Sequence, residues 1–116
     1  MIVGIGVDVC SVERFAAMVQ RRPGIVAKLL TPAEATLPAH SQAARFAAKE
    51  ALAKALGSPG GLSWQDAEVV ASPAGQPSFE ITGTVAALAE RLGVVRLHLS
   101  LSHDAGVAIA MVVAES

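Results

Sequence analysis

Glu50 and Lys54 lie four positions apart within Arg45-Phe46-Ala47-Ala48-Lys49-Glu50-Ala51-Leu52-Ala53-Lys54-Ala55-Leu56-Gly57. At that spacing a carboxylate and an ammonium share one helix face, either as an ion pair on a solvated surface or as paired charges aimed at one place. Asp8 is a third candidate. It closes the apolar run Ile2–Val9, and a carboxylate at the end of a buried strand needs a partner, a charged group or the backbone N–H groups of the next helix start. His103 ends an alternating segment beside a turn, where a side chain is presented to solvent or to a cleft. Cys10 offers a thiol, but beside an apolar strand it reads as a small buried hydrophobe. His40 reads as solvated. Arg14, Arg21, Arg22 and Lys28 form a run of cations with no acid between residues 14 and 30, a local basic patch.

The elements that must position these groups follow from pattern. The central stretch is rich in strong helix formers, with Gly57 placed to end it and Pro59 to forbid a restart. On a helical wheel its alanines and leucines cover more than half the circumference, which predicts a mostly buried helix. Ile2–Val9 reads as a buried strand. Gly4-x-Gly6 is no dinucleotide fingerprint, because Val9 stands where the third glycine would fall. Ser11 is placed to cap a helix to about Arg22, with Phe15, Met18 and Val19 as its apolar stripe. Ile25–Leu30 suggests a short helical turn. Residues 32–44, with Pro32 and Pro38, read as a loop or broken helix. Trp64 is expected to anchor its loop on the core. Residues 67–71 and 78–82 flank the turn-rich Ser72–Pro77 and predict a hairpin. Thr84–Leu92 predicts a helix ended by Gly93. Val95, Leu97, Leu99 and Leu101 alternate with Arg96, His98, Ser100 and Ser102, which predicts a half-buried strand. Val107–Ala114, apolar without alternation, predicts a strand covered on both faces. The order is β-α-α-α-β-β-α-β-β, with the two halves alike: an α+β domain with a mostly antiparallel sheet and a long central helix.

The chain's 116 residues suit one domain, 1–116. At 53% hydrophobic and 16% charged it carries more apolar surface than such a core can bury, which predicts an oligomer. A net charge of −1 leaves no global footprint for nucleic acid. No apolar run is long enough to span a membrane, and the first residues lack a secretory n-region. One cysteine excludes an intrachain disulfide and suits the cytosol, so a cytoplasmic chain is expected.

Three pieces of sequence resemble, in order and over essentially the whole chain, the small 4′-phosphopantetheinyl transferases of the holo-[acyl-carrier-protein] synthase family. They are Gly4-Ile5-Gly6-Val7-Asp8-Val9 with Glu13-Arg14-Phe15, then Arg45-Phe46-Ala47-Ala48-Lys49-Glu50-Ala51 with Lys54, then Leu99-Ser100-Leu101-Ser102-His103. The resemblance implies that family's fold, a homotrimer with active sites at subunit interfaces, Mg²⁺, coenzyme A as donor and the serine of an acyl carrier protein of fatty-acid or polyketide synthesis as acceptor. It implies that Asp8 and Glu50 bind the metal, that Lys54 meets phosphate, and that Arg45, Gly57, Gln76, Pro77 and His103 belong to the coenzyme A site. It implies that Arg14, Met18, Arg21, Arg22 and Lys28 dock the carrier protein. These residue types suit the chemistry: Mg²⁺ takes one or two carboxylates with phosphate oxygens and water, and an acidic carrier is steered by a basic surface. The serine proton goes to Glu50 or to a water on the metal. The chain departs from the family in a shorter 32–44 connector and in Gln76, where members often carry a basic residue. Asp104 has no role beyond orienting His103. The competing reading is a trimeric module that binds coenzyme A or an acidic partner without catalysis. A purely structural oligomer would leave Asp8 unexplained.

Overall fold

The β-branched run at the N-terminus is extended, as its composition predicts, and forms β1 (Ile2–Ser11). The other elements of this computed structural model, which describes residues 1–116, follow in the expected order. They are α1 (Val12–Arg21), α2 (Ile25–Leu29), α3 (Ala39–Ala55), β2 (Ala67–Ala71), β3 (Pro77–Ile81), α4 (Gly83–Leu92), β4 (Arg96–Asp104) and β5 (Val107–Glu115). Ser11 Oγ accepts from the Arg14 N–H at 3.2 Å and so caps α1. Gly93, at φ +75°, closes α4 in the left-handed conformation that glycine adopts without strain.

The connector departs from expectation. Residues 39–44 belong to α3, which begins directly after Pro38. A proline there marks the helix start rather than a break, because its fixed φ suits the residue before the first turn. Ala43 and Ala44 extend the buried arc backward. Ahead of them, Thr31-Pro32-Ala33-Glu34 closes a reciprocal capping box: the Thr31 N–H donates to Glu34 Oε1 at 2.9 Å, and the Glu34 N–H to Thr31 Oγ1 at 3.3 Å.

The strands form a fully antiparallel sheet in the order β1-β5-β4, with β2 and β3 as a separate antiparallel hairpin. Helix α3 lies across β1 and β5. Its Ala47, Ala48, Ala51, Leu52 and Ala55 meet Ala110, Val112 and Ala114 of β5, Ala67 and Val69 of β2, and Val85, Leu88 and Ala89 of α4. A second cluster joins Phe15, Leu29, Leu30, Ala43, Ala44 and Ala108. Trp64 anchors its loop as expected, stacking on Phe46 at 5.6 Å between ring centroids.

The expectation that β1 is buried and β5 covered on both faces is corrected. In β5, Ala108, Ala110, Val112 and Ala114 are buried, while Ile109 and Met111 are open. On β1, Ile5, Val7 and Val9 are 55%, 53% and 60% exposed. Only one face of the sheet has a helix over it. A strand apolar on both sides announces two covered faces, and this chain supplies only one cover. Val95, expected in the half-buried strand, lies outside β4 and is exposed.

Asp66 fixes the start of α4. Its Oδ2 accepts from the Thr84 N–H and from Thr84 Oγ1, each at 2.7 Å, where Thr82 itself makes no side-chain cap. These bonds hold the Asp66 carboxyl below its usual pKa. A carboxylate with a depressed folded pKa stabilises fully above its unfolded pKa, and the effect is lost as pH falls through the folded value. Asp66→Ala is expected to lower the melting temperature at neutral pH, with the difference from the parent shrinking in acid. Thermal melts of both chains across acid pH check this.

Candidate active site

The site begins with two glycines. On β1, Gly4, Gly6 and Asp8 face α3. A Cβ built on Gly6 would stand 1.8 Å from the Ala51 carbonyl oxygen, and one on Gly4 would stand 1.9 Å from that of Ala55. Both positions exclude any side chain, and the helix rests directly on the strand. Two residues along a strand nearly match one helical turn. The next residue on that strand face is Asp8, and Lys54 reaches back along α3 to meet it.

Lys54 Nζ donates to the Val7 carbonyl at 2.9 Å and pairs with Asp8 Oδ1 at 3.3 Å. The partner of the anomalous carboxylate is thus Lys54, rather than the helix-start N–H groups. Lys54 pairs across elements rather than with Glu50 along the helix. Its side chain is half-exposed, so the ammonium keeps an open side. Glu50 is half-buried, and its pKa is raised by burial and then by the Asp8 charge, with Lys54 opposing. The Cys10 thiol is pushed up by burial and by Asp8 and Glu50, so it is held as a thiol beside the carboxylates. Asp8 and Glu50 carry the kind of oxygen donors that a small, hard divalent cation takes. No group of three or more His, Cys, Asp or Glu side chains forms a cage, which leaves the remaining positions to phosphate oxygens and water.

Beside Glu50 opens a cavity of about 410 Å³, lined by Glu50, Ala53 and the segment Ser58–Trp64. Gly57 begins this wall at φ +90°, and Ser58 follows at φ +49° with its N–H bonded to the Ala53 carbonyl at 2.8 Å.

The other anticipated residues stand elsewhere. His103, at the end of β4 opposite Ala108, faces the first turn of α3, its ring 5.6 Å from that of His40. His40 is exposed yet paired with another ring, a relation its loop reading did not contain. Lys54 lies fourteen positions after His40, about 21 Å along α3. Within one chain, then, His103 and Lys54 do not share a site. Arg45 lies between these ends. Its Nη1 reaches the Ser41 carbonyl at 3.5 Å, and its buried Nε has no acceptor. Gln76 and Pro77 sit at the tip of the β2–β3 hairpin, where Gln76 is exposed and bonded to Ser72 within the turn. Arg14, Arg21, Arg22 and Lys28 are exposed on α1, α2 and the turn between them, with Met18 half-buried among them.

Sequence reasoning missed Lys49 and Glu34. Their side chains are 2% and 1% exposed and pair at 2.6 Å. Burial lowers the Lys49 pKa, with Glu34 opposing. Two signals were available: Lys49 shares its side of α3 with Leu52 and Leu56, and Thr31-x-x-Glu34 has capping-box spacing.

In an α+β domain, two carboxylates and a lysine set where a glycine-bearing strand meets a long helix suit chemistry on a phosphate group. The family model of the 4′-phosphopantetheinyl transferase superfamily matches residues 4–112, and the chain belongs to that family. It is 63% identical over 115 residues to a holo-[acyl-carrier-protein] synthase of Clavibacter michiganensis, covering 99% of this chain and 97% of that one. Its fold is similar to the crystal structure of the holo-[acyl-carrier-protein] synthase of Neisseria meningitidis, at TM-score 0.91 and 33% identity over the full length of both. It is also similar to the Helicobacter pylori enzyme in complex with coenzyme A, at TM-score 0.85 and 34% identity, covering 96% of this chain and 99% of that one.

Proposed function

We propose that this chain is a holo-[acyl-carrier-protein] synthase. It transfers 4′-phosphopantetheine from coenzyme A to a serine of an apo acyl carrier protein and releases adenosine 3′,5′-bisphosphate. The observation that carries the reading is the Asp8–Lys54 pair, whose charges both act on Glu50 at the edge of an open cavity, in a chain of this family.

The serine hydroxyl attacks the phosphorus that bears pantetheine, the bridging P–O bond breaks, and the adenosine bisphosphate departs. Lys54 takes phosphate on its open side and offsets the charge of the transition state, as preorganised cations do in phosphoryl transfer. Asp8 and Glu50 would hold Mg²⁺, which supplies further charge neutralisation on the phosphates. Glu50 is the side chain of the site that can accept the serine proton. The wall from Gly57 to Trp64 receives the donor. Arg45, half-buried on α3, adds a cation to the donor site. Gln76 and Pro77 complete the nucleotide end from the hairpin tip.

The assembly is read as the homotrimer that the family resemblance implies, and two features favour association of copies. The open apolar face of Ile5, Val7, Val9, Ile109 and Met111 exceeds the scattered exposure normal for a monomer. A neighbouring copy can also bring its own His103 to the Lys54 end of this one. The helix-then-hairpin pattern of α3-β2-β3 repeats in α4-β4-β5, a pseudo-repeat within the chain. No helix is long and apolar enough to cross a membrane, and the setting is the cytoplasm, in fatty-acid or related lipid synthesis.

Incubation with coenzyme A, Mg²⁺ and an apo carrier protein is expected to add the phosphopantetheine mass to the carrier. An unmodified carrier would overturn the reading. Acidic carriers approach along Arg14, Met18, Arg21, Arg22 and Lys28. Arg14→Glu is accordingly expected to slow carrier modification about tenfold and to flatten its salt dependence. Rates across ionic strengths check this, and an unchanged rate would remove Arg14 from the docking surface.

A further inference from the structure

Lys49 is buried one residue from Glu50, and its ammonium is fully engaged. Nζ donates to Glu34 Oε1 at 2.6 Å, to the Leu29 carbonyl at 2.8 Å and to the Trp64 carbonyl at 3.0 Å. An ammonium has three N–H donors, and these three acceptors occupy them. Lys49 therefore has no donor left for a substrate phosphate, although it borders the cavity. Glu34 spreads the same node further. Its Oε1 accepts from the Thr31 N–H and its Oε2 from the Val69 N–H at 2.8 Å. One ion pair thus ties the end of α2, the 31–36 turn, α3, β2 and the cavity loop together.

Stability alone gives little reason for such a pair, since an apolar pair of similar volume is often as stable. The acceptor it holds on the cavity side is the informative one. Pro59, Gly60, Gly61 and Leu62 make no backbone hydrogen bond of their own, so their path is set at its two ends. Ser58 is held to the Ala53 carbonyl at one end. At the other, Ser63 is held to Thr84 Oγ1 at 2.9 Å and Trp64 to Lys49. The α2 side has a second tie besides the Lys49–Leu29 bond: Gln65 Nε2 donates to the Ala27 carbonyl at 2.7 Å and the Leu30 carbonyl at 2.5 Å.

We infer that Lys49, balanced by Glu34, is a positioning residue for the donor: through the Trp64 carbonyl it fixes the Ser58–Trp64 wall against α3 and so sets coenzyme A affinity, while carrier docking is held independently. This rests on the proposed donor reading. The test is calorimetric binding of coenzyme A with Mg²⁺, and separately of apo carrier protein, to the full-length parent, Lys49→Met and Glu34→Gln. All are measured below their melting temperatures. The expected result is that Lys49→Met weakens coenzyme A at least tenfold and the carrier less than twofold. Glu34→Gln, which keeps the side chain's shape, moves coenzyme A the same way by a smaller factor. If Lys49→Met does not fold, the Glu34→Gln split decides alone. Unchanged coenzyme A affinity with only a lower melting temperature would overturn the inference, as would failure of both variants to fold, since the pair would then serve stability alone. Failure of the parent chain to bind coenzyme A would instead overturn the functional reading.

Discussion

Glu50→Gln is expected to reduce transfer about a thousandfold while leaving fold and assembly intact, as removal of a general base or a charge-stabilising ligand does. The carboxamide matches the carboxylate in size, and Glu50 is only half-buried, so the packing of α3 has no reason to change. Three functions are lost together: one of the two carboxylates facing the phosphates, the proton acceptor, and the charge that Asp8 opposes. Asp8 keeps Lys54, so the remaining carboxylate stays paired. Single-turnover rates with saturating coenzyme A and carrier, alongside circular dichroism and size measurement, check this. A variant within tenfold of the parent would remove Glu50 from the chemistry.

The second large effect is on folding. Gly6→Ala places a methyl carbon 1.8 Å from the Ala51 carbonyl oxygen and 2.8 Å from its carbon, and both are backbone atoms of α3. No rotamer change relieves a contact with backbone, so the helix must lift off the strand or β1 must leave the sheet. Overpacking of this kind costs about 3 kcal/mol or more, and it moves Asp8 away from Lys54 as well. Gly24→Ala is the control: nothing lies within 4 Å of its Cβ position, and its φ of −69° suits alanine. Urea unfolding of the two variants should show a large loss for Gly6→Ala and little change for Gly24→Ala. A Gly6→Ala chain of parental stability would contradict the close helix–strand contact.

Much of this was legible in the sequence. The element order, the Ser11 cap, the Gly93 stop, the hairpin and the buried arc of α3 are local statements, written by propensity and periodicity over short windows. The convergence of Asp8 with Lys54 is not local. The resemblance places Asp8 with Glu50 and gives Lys54 to phosphate, but does not contain the Asp8–Lys54 pair, whose physical cause, two glycines letting α3 rest on β1, lies in a contact between distant elements. The Glu34–Lys49 pair stayed hidden for a similar reason. Each residue is an ordinary charge in its own segment, and only the fold shows that both are buried. The reading of β5 erred differently: the sequence records that both faces are apolar, but not that only one of them is covered within the chain.

We propose that the donor site is completed between copies, with Glu50 and Lys54 from one and His103 from the next. The direct test mixes two variant chains, Glu50→Gln and His103→Ala, each impaired alone, and lets subunits exchange. If the site spans an interface, a random mixture pairs an intact Glu50 with an intact His103 in roughly a quarter of interfaces, half the chains supplying each. Transfer activity should then rise to about a quarter of the parent rate. If both residues serve a site within one chain, no mixture contains an intact site, and activity staying at the level of the separate variants would contradict the account.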